Sequence, residues 1–186
     1  LQVPLVDEVR ELGHKVIVSD LSRDCACAGM ADIFIEIDIF DINAHINEAL
    51  MLTTNNVIIS GVLAAGIDAT LTMSSLATVL GLPGVNPHAS FLTNNKDLFR
   101  HKLSELGYPV PRFRVIDKKD QIKSAIESVG FPLIVKNTDS SGSRGIKIFR
   151  EGNILEIEEA AEVAMSVSRS GKALIEELWE GDEYTI

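Results

Sequence analysis

Cysteine, basic residues and long apolar runs are scarce in this 186-residue chain. The two cysteines, Cys25 and Cys27, stand two apart in Arg-Asp-Cys-Ala-Cys-Ala. A disulfide at that spacing is strained, and it matches neither a redox Cys-x-x-Cys nor a zinc pair with a distant partner. They read as reduced small residues in a loop. The four histidines, His14, His45, His88 and His101, form no ligand-spaced group. Lysine and arginine number 17 against 27 acids, a net charge of −10. That balance disfavours a nucleic-acid-binding surface but leaves room for a small basic pocket. No apolar run approaches the ~20 residues of a membrane span. No basic start with an apolar core marks a signal peptide. The expectation is a soluble, cytoplasmic chain with neither a membrane nor a nucleic acid as partner.

What is present is an ordinary globular composition, 46% apolar and 24% charged, enough for one large domain or two small ones. No internal repeat or low-complexity tract interrupts it. The first half alternates helix and strand. Residues 4–12 form an amphipathic helix with proline in its first turn and Gly13 at its end. Residues 15–19 and 33–37 read as strands, Asp41 caps a helix to about residue 50, 57–60 read as a buried strand, and 68–80 as a helix closed by Gly81. Such alternation predicts a parallel sheet of right-handed βαβ units, hence an α/β fold. Turn residues thicken around 81–87, which places a domain boundary near 88. Beyond it the pattern predicts a helix over 94–106, a strand over 112–116, a helix over 119–128, a hairpin, a helix over 155–167, and strands over 173–177 and 183–186.

The hairpin, residues 132–150, carries the chemistry. Leu133 and Val135 point to one face and Ile134 and Lys136 to the other, while 145–149 alternate likewise. Between the strands, residues 137–144 are almost pure turn chemistry. Successive backbone donors in such a loop make an anion-binding nest. Gly142 and Gly145 let the backbone approach a ligand with no Cβ in the way, and Lys136 ends the strand as a point charge. An ordinary solvated hairpin would show the same pattern. The segment is not a Walker A loop, because no Gly-Lys-Ser/Thr opens a helix.

The hairpin has company. In order come Asn95-Lys96, Leu-Gly-Tyr-Pro-Val-Pro (106–111), Gly-Phe-Pro-Leu-Ile-Val-Lys (130–136), Ser-Gly-Ser-Arg-Gly (141–145) and Ile-Glu-Glu-x-x-Glu-Gly-Asp-Glu-Tyr (175–184). This ordered set resembles the ATP-grasp superfamily, and within it the carbamoyl-phosphate-synthetase-like and purine-biosynthesis carboxylase-like members. The resemblance implies a Rossmann-like parallel-sheet domain over 1–88, preceding the first, small lobe of an ATP-grasp domain over 89–186. It implies ATP as ligand. Lys96 and Lys136 would reach the phosphates from two sides, with Ser140, Ser141, Gly142, Ser143, Arg144 and Gly145 as the loop closing over them. Glu176, Glu177 and Trp179 would meet the adenine edge, Glu176 accepting from the exocyclic amine and the other two offering backbone groups. Glu183 would take the ribose hydroxyls, since a carboxylate suits a diol. Each lysine has a plainer reading as a solvated side chain, and Trp179 one as a core anchor.

By the same resemblance the activity is a ligation. ATP phosphorylates a small carboxylate and an amine or similar nucleophile displaces phosphate, with magnesium neutralising charge. The chain reads as part of a longer polypeptide, beginning without methionine on a helix and stopping inside a strand. The magnesium ligands and catalytic residues are then expected beyond residue 186, and the fragment alone is expected to be inactive. A homo-oligomer is compatible with this reading. Two alternatives stay open: a nucleotide-binding module without catalysis, and a nicotinamide-dependent enzyme in which Asp20 would mimic the ribose-binding acid.

Overall fold

The computed structural model describes residues 2–182. They divide into two compact units, Leu1–Phe91 and Leu92–Ile186.

In the first unit, α1 (Val3–Glu11) starts with a proline in its first turn and stops before Gly13, whose φ of +83° suits glycine. β1 (Ile17–Asp20) and β2 (Ile33–Glu36) pair in parallel, Ile17 opposite Ile33. The link between them passes through a 3-10 turn, Ala28–Met30, and contains both free cysteines. Burial pushes the Cys27 thiol pKa up, with the neighbouring Cys25 adding to it. Asp20 spends a carboxylate oxygen on the Ser22 N–H at 2.8 Å. Asp41 caps α2 (Ile42–Thr54) by accepting from Ala44 N–H at 2.9 Å, as its position before an apolar run predicts. His45, one turn into α2, lies 2.7 Å from the Ser19 hydroxyl through Nε2 and 2.8 Å from the Asp41 carbonyl through Nδ1. That chain ties the end of β1 to the helix. α3 (Thr70–Val79) packs on α2.

The strand expected at 57–60 is not formed. Its composition is right, but a strand needs a ladder. The described residues give this segment no ladder partner, and Ile58 is 91% exposed. α4 (Pro87–Thr93) starts at Pro87, the last of the residues read from sequence as boundary turns, and was not expected. Proline suits a helix start, and Asn86 Oδ1 accepts from His88 N–H at 2.8 Å.

The second unit opens with α5 (Lys96–Glu105), shorter than the expected helix because Asn95 is extended. β3 (Phe113–Ile116), α6 (Ile122–Val129), β4 (Leu133–Asn137), β5 (Lys147–Phe149), α7 (Ile154–Val167) and β6 (Ala173–Glu177) follow. The four strands form one antiparallel sheet in the order β3-β6-β4-β5. The alternation along β4 divides its faces as the sequence predicts. Leu133 and Val135 are fully buried with Ile175 of β6, under Ile122 and Val129 of α6 and Ile157 and Ala161 of α7. At roughly 25 cal/mol per Å² of apolar surface, these aliphatic side chains are the main support of the unit. The opposite face presents Ile134, Lys136, Leu174 and Glu176, with Ile134 opposite Glu176 and Lys136 opposite Leu174. The final segment read as a strand, 183–186, lies outside the described residues.

Candidate functional site

Lys136 sits next to the C-terminal end of β4 with its side chain only 12% exposed, so it does not reach for bulk water. Its ammonium lies 3.0 Å from Glu176 Oε2. Glu176, on the adjacent strand, is 4% exposed. Its other oxygen accepts from Arg100 of α5, at 3.0 Å from Nη2 and 3.3 Å from Nε. The Lys136 contact is close but not aligned as a hydrogen bond, since Oε2 has no such partner among the described residues. It is a Coulombic pair. Two cations therefore converge on one buried carboxylate, leaving one formal positive charge on the sheet face.

This triad lines a cavity of about 270 Å³ with Leu103 of α5, Ile134, Leu178 and Trp179. Trp179 is 53% exposed, so it is a wall of the cavity and not a core anchor. The chain leaving β6 here has a defined backbone. Glu177 N–H donates to the Arg112 carbonyl at 2.8 Å and Leu178 N–H to the Pro132 carbonyl at 2.9 Å. Trp179 N–H has no backbone acceptor among the described residues. The Glu177 side chain bonds Arg112, whose guanidinium and backbone N–H hold its carboxyl below the usual range.

The root of the loop is a second cluster. Asn137 Oδ1 accepts from Ser140 N–H at 2.8 Å and from the Lys96 ammonium at 3.2 Å, and its amide donates to the Arg144 carbonyl at 2.6 Å. Lys96 Nζ also donates to the Ser140 carbonyl at 2.8 Å, and Lys96 N–H to the Thr138 carbonyl at 2.8 Å. An ammonium at a helix N-terminus opposes the helix dipole, and these loop acceptors offset that cost. Asp139 fastens the other side, accepting from Ser168 Oγ at 2.9 Å, Arg169 N–H at 3.0 Å and Ser170 N–H at 2.7 Å. Burial pushes its carboxyl pKa up, but the hydrogen bonds from Ser170, Ser168 and Arg169 outweigh that and hold it below the usual range. Ser140 is buried, and its hydroxyl has no partner among the described residues.

Beyond this root, Ser141, Gly142, Ser143 and Arg144 are exposed. Gly142 (φ +75°) and Ser143 (φ +57°) make the left-handed turn. Gly142 has open space around it, whereas a Cβ on Gly145 would meet Val167 Cγ2 at 2.9 Å and the Ala164 Cα at 3.1 Å. Gly145 therefore packs closely on α7. The structure thus gathers Lys136, Glu176, Glu177 and Trp179 around one cavity and Lys96 with Ser140 at the loop root. Glu183 lies outside the described residues. Arg100, Asn137 and Asp139 were not singled out from sequence. The only local signal was the polar run Asn-Thr-Asp-Ser after Lys136; Arg100 had none.

Fold and site together define an α/β protein whose antiparallel sheet carries a lysine-rooted turn beside a basic cleft. The sequence model of the ATP-grasp domain matches residues 101–180, so that part of the chain is similar to ATP-grasp domains. Phosphoribosylamine–glycine ligase of Thermococcus kodakarensis is 35% identical over 109 residues, 56% of this chain and 25% of that protein. Formate-dependent phosphoribosylglycinamide formyltransferase of Prochlorococcus marinus is 26% identical over 178 residues, 93% of this chain and 44% of that one. Among solved structures, L-amino acid ligase from Bacillus licheniformis matches with a TM-score of 0.69 at 21% identity, over 96% of this chain and 42% of that one. The ADP complex of N5-carboxyaminoimidazole synthetase from Staphylococcus aureus gives 0.63 at 21%, over 94% and 44%. At these identities the structural matches speak to the fold. The chain spans less than half the length of these relatives.

Proposed function

We propose that this chain carries the nucleotide-gripping part of an ATP-dependent carboxylate–amine ligase. The observation that supports it best is the buried Glu176 carboxylate flanked by Arg100 and Lys136, facing the cavity that Trp179 borders. Burying two cations against one carboxylate is costly. An incoming polyphosphate supplies the missing negative charge. In this reading Lys136 turns from Glu176 toward the phosphates and Lys96 meets them from the loop root. The turn 142–144 folds over them with its backbone donors, and the Ser140 hydroxyl gains an acceptor. The purine lies against Trp179, whose backbone N–H faces its edge, and Glu183 takes the ribose hydroxyls.

The chemistry proposed for the whole enzyme passes the terminal phosphoryl group of ATP to a small carboxylate, giving an acyl phosphate and ADP. An amine then attacks the acyl carbon, phosphate leaves with the bonding pair, and the amine loses a proton. The residues of this chain position the nucleotide and neutralise charge as it develops on the transferred group. Magnesium, which the resemblance implies, finds no group of three or more carboxylate, histidine or cysteine ligands among the described residues, so they do not fit it by themselves.

Trp179 is the only tryptophan and therefore a built-in reporter. Titrating the chain with a non-hydrolysable ATP analogue is expected to change its fluorescence saturably, and Lys136→Ala to weaken the response about tenfold or more, the loss of one charge-assisted contact. No saturable signal with the wild-type chain, or equal affinity in the variant, contradicts the reading.

A further inference from the structure

The proposed function gives no part to the Glu177 carboxylate, yet that group ties together two of the chain segments that line the Trp179 cavity. One is residues 109–111, Pro-Val-Pro, and the other is 177–179, the chain leaving β6. Pro109 and Pro111 carry no N–H, and no backbone hydrogen bond joins 109–111 to another element among the described residues. What fixes this segment is the next residue, Arg112. Its carbonyl accepts from Glu177 N–H at 2.8 Å, and its own N–H donates to Glu177 Oε2 at 3.2 Å. Its guanidinium forks onto the same carboxylate, Nε at 3.3 Å from Oε2 and Nη2 at 3.1 Å from Oε1. An exposed ion pair is ordinarily weak, but this one is bidentate and a backbone donor joins it. The Arg112 bonds hold the Glu177 carboxyl below its usual range, and the Trp179 indole adds to the effect. One carboxylate therefore fastens both lining segments and engages the aromatic ring.

We infer that Glu177 is a positioning residue for the nucleobase: through Arg112 it keeps 109–111 and 177–179 in one fixed arrangement, and with them the Trp179 ring against which the base lies. The inference rests on the nucleotide-binding reading of this cavity. It separates two parts of the grip. Lys136 and Lys96 act on the phosphates, whereas the Glu177–Arg112 latch acts on the base alone. Preorganised walls bind a flat ring without first having to be ordered, so a loosened latch costs affinity for the base and none for the phosphates.

The test compares two ligands, a non-hydrolysable ATP analogue and tripolyphosphate, by titration calorimetry on the wild type, Glu177→Gln, Arg112→Met and the double variant. The Arg112 side chain is 62% exposed, and the bond from Glu177 N–H to the Arg112 carbonyl survives every substitution, so the fold is retained. Each single variant is expected to bind the analogue about fivefold more weakly and tripolyphosphate as the wild type does. The double variant is expected to be no weaker than either single one, because both remove the same latch. The anisotropy of Trp179 fluorescence should fall in Glu177→Gln as the ring gains freedom. Equal weakening of both ligands would assign the pair to general stability and overturn the inference, as would additive losses or an unchanged anisotropy. A wild type that binds neither ligand removes the nucleotide reading and this inference together. A wild type that binds both, with variants that match it, removes this inference alone.

Discussion

Replacing Glu176 by glutamine removes one charge and almost no volume from the centre of the proposed cleft. In the native chain that carboxylate holds Arg100 at 3.0 Å and Lys136 at 3.0 Å, with side chains 24% and 12% exposed. Two opposite charges ~4 Å apart attract by about 4 kcal/mol at an effective dielectric of 20. Desolvation cancels much of that in forming the group, but not in breaking it. Removing one partner of a buried pair costs about 3–5 kcal/mol, because the remaining charge stays buried and unpaired. Partial exposure of Arg100 places this case at the lower end, about 3 kcal/mol. For a unit of under 100 residues, about 4–8 °C is lost per kcal/mol. The melting temperature of the second unit should therefore fall by roughly 12–24 °C, read by circular dichroism at matched protein concentration. The variant also leaves two facing cations with no counter-charge. Millimolar tripolyphosphate is then expected to raise the melting temperature of Glu176→Gln more than that of the wild type. A loss under about 1 kcal/mol would place the pair in the range of screened surface bridges. An equal tripolyphosphate shift in both proteins would refute the claim that the carboxylate stands where a polyphosphate acts.

The two loop glycines should separate cleanly. Gly145→Ala must fit a Cβ against α7 at positive φ, costing about 2–4 kcal/mol by denaturant unfolding, whereas Gly142→Ala meets open space and should cost about 1 kcal/mol; similar costs would contradict the packing role of Gly145. Asp139 titrates below its ordinary value when folded, so its contribution is fully present above about pH 4–5 and is lost as pH falls through the folded value. Asp139→Asn should remove that acid-sensitive part of the stability profile and lower stability at pH 7 by about 2 kcal/mol through lost hydrogen bonds to Ser168, Arg169 and Ser170; an unchanged acid limb would refute it. Lys96→Met should weaken nucleotide binding and also loosen residues 138–140, seen as faster exchange of the Ser140 amide, while an unaltered loop would mean that its bonds to Asn137 and Ser140 are incidental.

Much of the second unit was legible because its signals are local. The alternation of Leu133 and Val135 against Ile134 and Lys136 assigned the faces of β4, and the bounds of β6 were read correctly. Asp41 announced its helix for the same reason, a capping side chain before an apolar run. What stayed hidden depends on partners far along the chain. Glu176 read as a free acceptor, yet it is engaged by Arg100, 76 positions away, and nothing in local spacing reports that meeting. The packing of Gly145 stayed hidden because its neighbour, α7, is a tertiary contact. Residues 57–60 have strand composition, but composition does not supply a ladder. Helix α4 was lost because proline and asparagine were read as punctuation where they in fact start a helix.

The account turns on where Lys136 goes when nucleotide arrives. A crystal structure of the chain with a non-hydrolysable ATP analogue measures it directly. The prediction is a Lys136 Nζ-to-phosphate oxygen distance of about 2.7–2.9 Å, with Lys96 on the same phosphate chain and the purine against Trp179. Nucleotide bound elsewhere, with Lys136 still held by Glu176 alone, would contradict the account.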